Sequence, residues 1–232
     1  MRPYIVVIPA YQPMKELHHY VNELLKHEIA KVIVVDDGNL EEYEPLFEQL
    51  KQFERCIVLH HTANQGKGAA LKTGFKYYLE HFSDLTGVVT VDADGQHRIK
   101  DILSVGNRVT AMNEGFVLGS RVFERENMPI RSYIGNTFTS HLFRILFGVY
   151  INDTQTGLRG ITTSELARVN QLAGDHFDFE MNMLIAMIRQ ERRIVRVDIE
   201  AVYADEHTST FDTYRDTVKI ASLIAKKIIR RT

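Results

Sequence analysis

Two carboxylates, a glycine and a carboxamide follow a β-branched run in Val88-Val89-Thr90-Val91-Asp92-Ala93-Asp94-Gly95-Gln96-His97. A buried strand end is a rigid mount for charged groups, and acids two residues apart stay close there. Like charges that near are costly without a cation between them. The oxygen donors of Asp92, Asp94 and Gln96 suit Mg²⁺ or Mn²⁺, not zinc. An isolated Asp-x-Asp after a strand also reads as a plain polar turn, so the choice rests on what surrounds it.

Three more segments carry the same kind of chemistry. Pro9-Ala10-Tyr11, Asp36-Asp37-Gly38 and Asn64-Gln65-Gly66-Lys67-Gly68 each follow an apolar, strand-like run. The first run is Tyr4 to Ile8, the second Lys31 to Val35, and the third lies around Cys56 to Leu59. Helical spacing is expected from Pro13 to about Glu28, from Glu41 to Phe53, from Ala69 to Phe82 and from Ile99 to Met112. A further strand is expected at Phe116 to Ser120. Strand and helix alternate, so the first ~120 residues predict a doubly wound parallel sheet with helices on both faces. The four polar segments then share the crevice outside the strand ends, where open α/β sheets bind ligands. Acids, glycines and a lysine in that crevice form a nucleotide-site pattern. Pro9-Ala10-Tyr11-Gln12 lacks the Gly-x-Gly-x-x-Gly of dinucleotide folds, and Asn64 to Gly68 does not fit a Walker loop.

Past Arg121 the pattern changes. Residues Arg131 to Phe147 predict an aromatic-rich amphipathic helix carrying Arg131, His141 and Arg144, suited either to packing on the sheet or to a membrane interface. Asp153-Thr154-Gln155-Thr156-Gly157-Leu158-Arg159-Gly160 reads as a polar turn. Glu180 falls early in a helix expected over Phe179 to Arg189, where a carboxylate either complements the dipole or serves a site. A strand is expected over Ile194 to Val202. A last helix, Tyr214 to Arg231, ends in Lys226-Lys227-Ile228-Ile229-Arg230-Arg231.

At 232 residues and 44% apolar, the chain has enough material for a large core and for one domain. A net charge of −2 gives no overall pull toward nucleic acid. The single Cys56 sits in an apolar run and is expected to be a buried thiol. The opening residues lack a signal-peptide pattern, and no window has the ~18–20 apolar residues of a span. These features are those of a soluble, cytoplasmic-type body.

The ordered set Val7-Ile8-Pro9-Ala10-Tyr11, Val34-Val35-Asp36-Asp37-Gly38, Asn64 to Ala69, Val91 to His97 and Gly119-Ser120-Arg121 resembles the family-2 glycosyltransferases of GT-A fold. Asp153 to Arg159 and Phe177-Asp178-Phe179-Glu180 are similar to the branch containing dolichyl-phosphate mannose synthase and bacterial polyprenyl-phosphate glycosyltransferases. The likeness covers about residues 4–216. The tail differs: the Arg-x-x-Gly-x-Ser segment usual in dolichyl-phosphate mannose synthases is replaced by Tyr203 to Phe211. That stretch is more like bacterial members paired or fused with a GtrA-type membrane protein.

The resemblance implies an inverting, metal-dependent transfer of a sugar from a UDP- or GDP-linked donor to an undecaprenyl- or dolichyl-type polyprenyl phosphate. It implies one catalytic domain, with residues 1–121 on the donor side and 122–232 on the acceptor side. Pro9, Ala10, Tyr11 and Asp37 would hold the nucleoside, with Asp37 accepting from base or ribose. Gly66 and Lys67 would face ribose and diphosphate, Asp92 and Ala93 would lie under the ribose, and Asp94 with Gln96 would bind Mg²⁺ or Mn²⁺. A phosphate monoester is already ionised at neutral pH and needs positioning, not a base. Arg121, Arg131 and Arg159 are expected to provide that, with Asp153 on the acceptor side. Work at the inner face of the plasma membrane is expected, either as a peripheral protein or as the soluble portion of a longer one. Transfer to a hydroxyl, with Asp153 or Glu180 as base, and a non-catalytic nucleotide-sugar-binding module are the alternatives.

Overall fold

The computed structural model describes residues 3–121 and 130–200. Its centre is a run of parallel strands. Strand β1 (Ile5–Ala10) pairs with β2 (Lys31–Asp36) and β4 (Gly87–Thr90), and β2 pairs with β3 (Cys56–His60). Every residue of β1 is buried, as its unbroken apolar run requires of a strand covered on both faces. Pro9, expected to end the strand, instead sits within it, in register with Val35.

Alternate residues of β1 enter two separate cores. Val6 and Ile8 pack with α1 (Leu17–Leu25), α2 (Glu44–Lys51) and α4 (Ile99–Thr110). Ile5 and Val7 pack with α3 (Lys67–His81), α6 (Thr163–Val169) and α7 (Phe177–Arg189). Helix α5 (Ile130–Phe147) joins this second layer through Phe143. Helices therefore cover both faces of the sheet.

The expected parallel order fails at one place. β5 (Phe116–Arg121) does not pair with β4, because β6 (Arg159–Thr162) runs antiparallel between them. The full order is β3-β2-β1-β4-β6-β5-β7, with β7 (Ile194–Ile199) parallel to β5. The sequence reads residues 153–160 as a turn because β6 has only four residues, one of them glycine, and neighbours rather than propensity stabilise it. The reversal matters for the site. Since β6 runs antiparallel, its beginning lies at the edge where the parallel strands end: Arg159 is in register with Thr90 on one side and Leu118 on the other. The polar loop before β6 therefore joins the loops after β1, β2, β3 and β4.

Among the described residues no helix is long and apolar enough to cross a membrane. The expected C-terminal helix lies outside the described residues, as does Val202.

Candidate active site

The loop from Asn64 into α3 is built by Asp37. Its carboxylate accepts from the backbone N–H groups of Gln65 and Gly66, each at 2.9 Å, and its Oδ1 lies 2.7 Å from His61 Nδ1. The opposite nitrogen of His61 is 2.9 Å from Thr73 Oγ1 on α3. With Asp37 accepting, Nδ1 donates and Nε2 accepts from the threonine. Asp37, expected to accept from base or ribose, has a side chain 2% exposed whose oxygens hold this loop. Gly66 has φ +102°, and a Cβ there would fall 2.2 Å from His176 Nδ1, so only glycine fits.

That loop delivers Lys67 into a carboxylate pair. Its Nζ lies 2.7 Å from Asp92 Oδ1, beyond β4, and 2.9 Å from Glu180 Oε2 on α7. Burial alone would lower the lysine's pKa, but the two carboxylates outweigh it and hold the ammonium above its ordinary range. The same balance appears at Asp92. Burial would raise it, yet Lys67 and His97, whose Nε2 is 3.3 Å from Asp92 Oδ2, hold it well below the usual carboxylate range. His97 is anchored in turn, since its carbonyl accepts from Tyr20 Oη at 2.5 Å. Neither Glu180 nor His97 carries a motif strong enough to reveal this cluster from spacing alone.

Asp94 behaves differently. It stands at the exposed rim, where crowding by the surrounding loops first, and the charge of Asp92 second, hold its carboxyl above the ordinary range. Its one described donor is the Gln96 N–H, at 3.0 Å to Oδ1. An acid destabilised by a neighbouring acid and short of donors suits a divalent cation. Asp92, already held by Lys67 and His97, does not offer the same vacancy. The all-oxygen donors of Asp94 and Gln96 therefore fit Mg²⁺ or Mn²⁺ as a partial ligand set. Among the described residues no three His, Cys, Asp or Glu side chains form a complete cage.

The loop before β6 carries the other half. Asp153, with no exposed side chain, accepts from Arg121 Nε at 2.7 Å and Nη2 at 3.1 Å. It also accepts from the N–H groups of Arg121 and Gln155, both at 3.2 Å. Arg121 thus gives one edge of its guanidinium to Asp153. Asn136 on α5 accepts from the Thr154 N–H at 3.1 Å and donates to the Asn152 carbonyl at 2.6 Å, tying α5 to this loop. Arg131 falls in the first turn of α5, and its side chain lies outside the described residues.

Arg159 is not at the surface. Its side chain is 1% exposed and donates from Nε to the Thr156 carbonyl at 2.9 Å and from Nη1 to the Glu180 carbonyl. Expected to meet the acceptor phosphate, it instead locks the loop to α7, because at the first residue of β6 its side chain is enclosed by protein. Pro9 and Ala10 close β1, and Tyr11 follows them 46% exposed. Ala93 is buried beneath the acidic loop.

The chain is similar to known proteins in sequence and in fold. The family model for glycosyl transferase family 2 matches residues 5–162. The chain is 30% identical over 217 residues to a UDP-N-acetylglucosamine–dolichyl-phosphate N-acetylglucosaminyltransferase from Methanococcus voltae, covering 86% of each chain. It is 28% identical to a polyprenol monophosphomannose synthase from Mycolicibacterium smegmatis, over 84% of this chain and 76% of that one. Among solved structures, glucosyl-3-phosphoglycerate synthase from Mycobacterium tuberculosis, crystallised with Mn²⁺ and UDP, superposes with a TM-score of 0.68 at 15% identity. That match covers 96% of this chain and 80% of that one. Mannosyl-3-phosphoglycerate synthase from Rubrobacter xylanophilus gives 0.75 at 13% identity, covering 99% and 75%. At these identities the structural matches show the GT-A fold and nothing finer.

Proposed function

The chain belongs to glycosyl transferase family 2, and from that premise we propose that it moves a sugar from a nucleoside diphosphate sugar to a polyprenyl phosphate. One observation carries the reading. The Asp92–Asp94 loop, Lys67 and the Arg121–Asp153 pair occupy one sheet edge, putting diphosphate chemistry beside a guanidinium. The printed activities of the relatives from M. voltae and M. smegmatis favour a lipid-linked phosphate as acceptor.

On this reading Pro9, Ala10 and Tyr11 face the nucleoside, and Lys67 with the Gly66–Gly68 amides faces the diphosphate. Asp37 acts through the loop it holds. Asp94 and Gln96 would hold Mg²⁺ or Mn²⁺, which would supply Lewis-acid relief of the charge on the departing diphosphate. The acceptor phosphate needs no base, and Asp153, enclosed by its four donors, is not placed to act as one. Asp153 instead orients Arg121, whose guanidinium meets the acceptor together with Arg131. Attack from the side opposite the leaving diphosphate inverts the anomeric carbon. Apart from Arg121, which ends β5 and meets the acceptor, residues 1–121 serve the donor and 122–232 the acceptor within one catalytic domain.

The acceptor's head group lies at a bilayer surface, so the body works there, at the inner face of the plasma membrane. Ile145 is 78% exposed beside Arg144 near the end of α5, and Val149 and Tyr150 follow it exposed, which supports an interfacial face. A GtrA-type membrane protein is the proposed partner, on the resemblance of the Tyr203 to Phe211 stretch alone. The test offers a panel of UDP- and GDP-sugars with undecaprenyl phosphate and Mn²⁺, with mass spectrometry of the lipid. One glycosyl increment on the phospholipid supports the reading, whereas soluble products alone overturn it. Flotation with anionic vesicles, weakened by salt, checks the membrane step.

A further inference from the structure

Glu180 departs from what a residue early in a helix normally does. The first turn of α7 already has its own acid: Asp178 Oδ1 accepts from the His176 N–H at 3.1 Å. Glu180 turns away from that turn toward Lys67 and is 5% exposed. Its two oxygens are unequal. Oε2 takes the lysine at 2.9 Å, while Oε1 is buried without a hydrogen-bond partner. The nearest guanidinium nitrogen, Arg159 Nε, is 3.9 Å away and already donates to the Thr156 carbonyl. A carboxylate can accept about four hydrogen bonds, and leaving a buried acceptor unmet is costly.

The missing partner is a neutral donor. A cation is disfavoured because Lys67 and Arg159 already place two positive charges around this carboxylate. The position narrows the class further. Glu180 touches Lys67 on one side. On the other, its carbonyl and Arg159 connect it to the loop that carries Asp153, the partner of Arg121. In a displacement, the group being transferred lies between leaving group and nucleophile, and here that means between Lys67 and Arg121.

Resting on the glycosyltransferase reading above, we propose that Glu180 accepts a hydrogen bond from a hydroxyl of the transferred sugar and, braced by Lys67, sets which sugar is used. The nucleoside is then bound independently of it.

A substitution cycle tests this. Wild type and Glu180→Gln are compared for UDP and GDP binding with Mn²⁺, and for kcat/KM with UDP-glucose, UDP-N-acetylglucosamine, GDP-mannose and the monodeoxy analogues of the preferred donor. The bare nucleotide should bind both proteins within about threefold. Turnover of the intact sugar should fall ~10–100-fold in the variant, the range for losing a hydrogen bond to a charged group. One deoxy donor should cost wild type a similar factor and cost the variant almost nothing. Independent losses for every deoxy donor, or equal loss of bare-nucleotide binding, overturn the role of Glu180. If Glu180→Gln does not fold, the deoxy series on wild type decides alone: no hydroxyl worth tenfold refutes the proposal. Failure of wild type to use any sugar nucleotide overturns the underlying reading instead, and with it this one.

Discussion

Gly157→Ala puts one methyl group against the centre of the site. A Cβ at residue 157 would sit 2.2 Å from Asp92 Oδ2, more than 1 Å inside ordinary contact, and 2.6 Å from the carboxyl carbon. Asp92 cannot simply step aside, since Lys67 holds its other oxygen at 2.7 Å and His97 closes the remaining side. The glycine cannot retreat easily either, because its carbonyl accepts from Thr90 Oγ1 at 2.7 Å. The strain is shared between loop and carboxylate, and overpacking of this kind costs about 1–3 kcal/mol. For a chain of this length each kcal/mol lowers Tm by ~2–4 °C, so the variant should melt about 2–12 °C below wild type and remain folded at 25 °C. Activity should suffer more than stability, because a displacement near 1 Å at reacting groups costs ~10²-fold. The assay pairs calorimetric melting with kcat/KM for sugar transfer to undecaprenyl phosphate. A folded Gly157→Ala enzyme with wild-type kcat/KM would refute the claim that Asp92 is held in a working position by this packing.

Three other outcomes are expected. Asp94→Ala should lower the rate at least ~10²-fold, roughly 3 kcal/mol, and excess EDTA should do the same to wild type; full activity in either case contradicts the ligand assignment. The arginines should separate: Arg121→Lys should raise the acceptor KM or lower turnover with nucleotide affinity intact, while Arg159→Met should chiefly lower Tm, having removed a buried tie between the 153–158 loop and α7. Cys56, whose thiol is pushed up to about 12 by burial, stays protonated at pH 8 and should react with a thiol reagent only after denaturation; rapid labelling of the native protein contradicts its placement in the core.

The donor half was legible in the sequence for a physical reason. Strands buried on both faces must be continuous apolar runs, so Ile5–Ala10 and Lys31–Asp36 announce themselves, and polar loops at their ends can only line the crevice. Side-chain destinations within those loops were less legible. Asp37 and Arg159 look like ligand-binding residues by type, yet their partners are a backbone loop and three carbonyls. Both satisfy groups that only the folded chain brings near. β6 was hidden because four residues with a glycine lack intrinsic strand preference, and the pairing that stabilises them lies 71 residues away at Thr90–Arg159 and Val88–Ile161 on average. Glu180 was ambiguous, since a dipole role and a site role place the same residue type in the same turn.

The measurement that bears most directly on the central claim offers the enzyme two lipids differing in one group, undecaprenyl phosphate and undecaprenol, with the preferred sugar nucleotide and Mn²⁺. A phosphate nucleophile positioned by Arg121 predicts a glycosylated lipid from the phosphate alone, with no transfer to the alcohol. Equal transfer to undecaprenol, or release of free sugar with neither lipid modified, would contradict it.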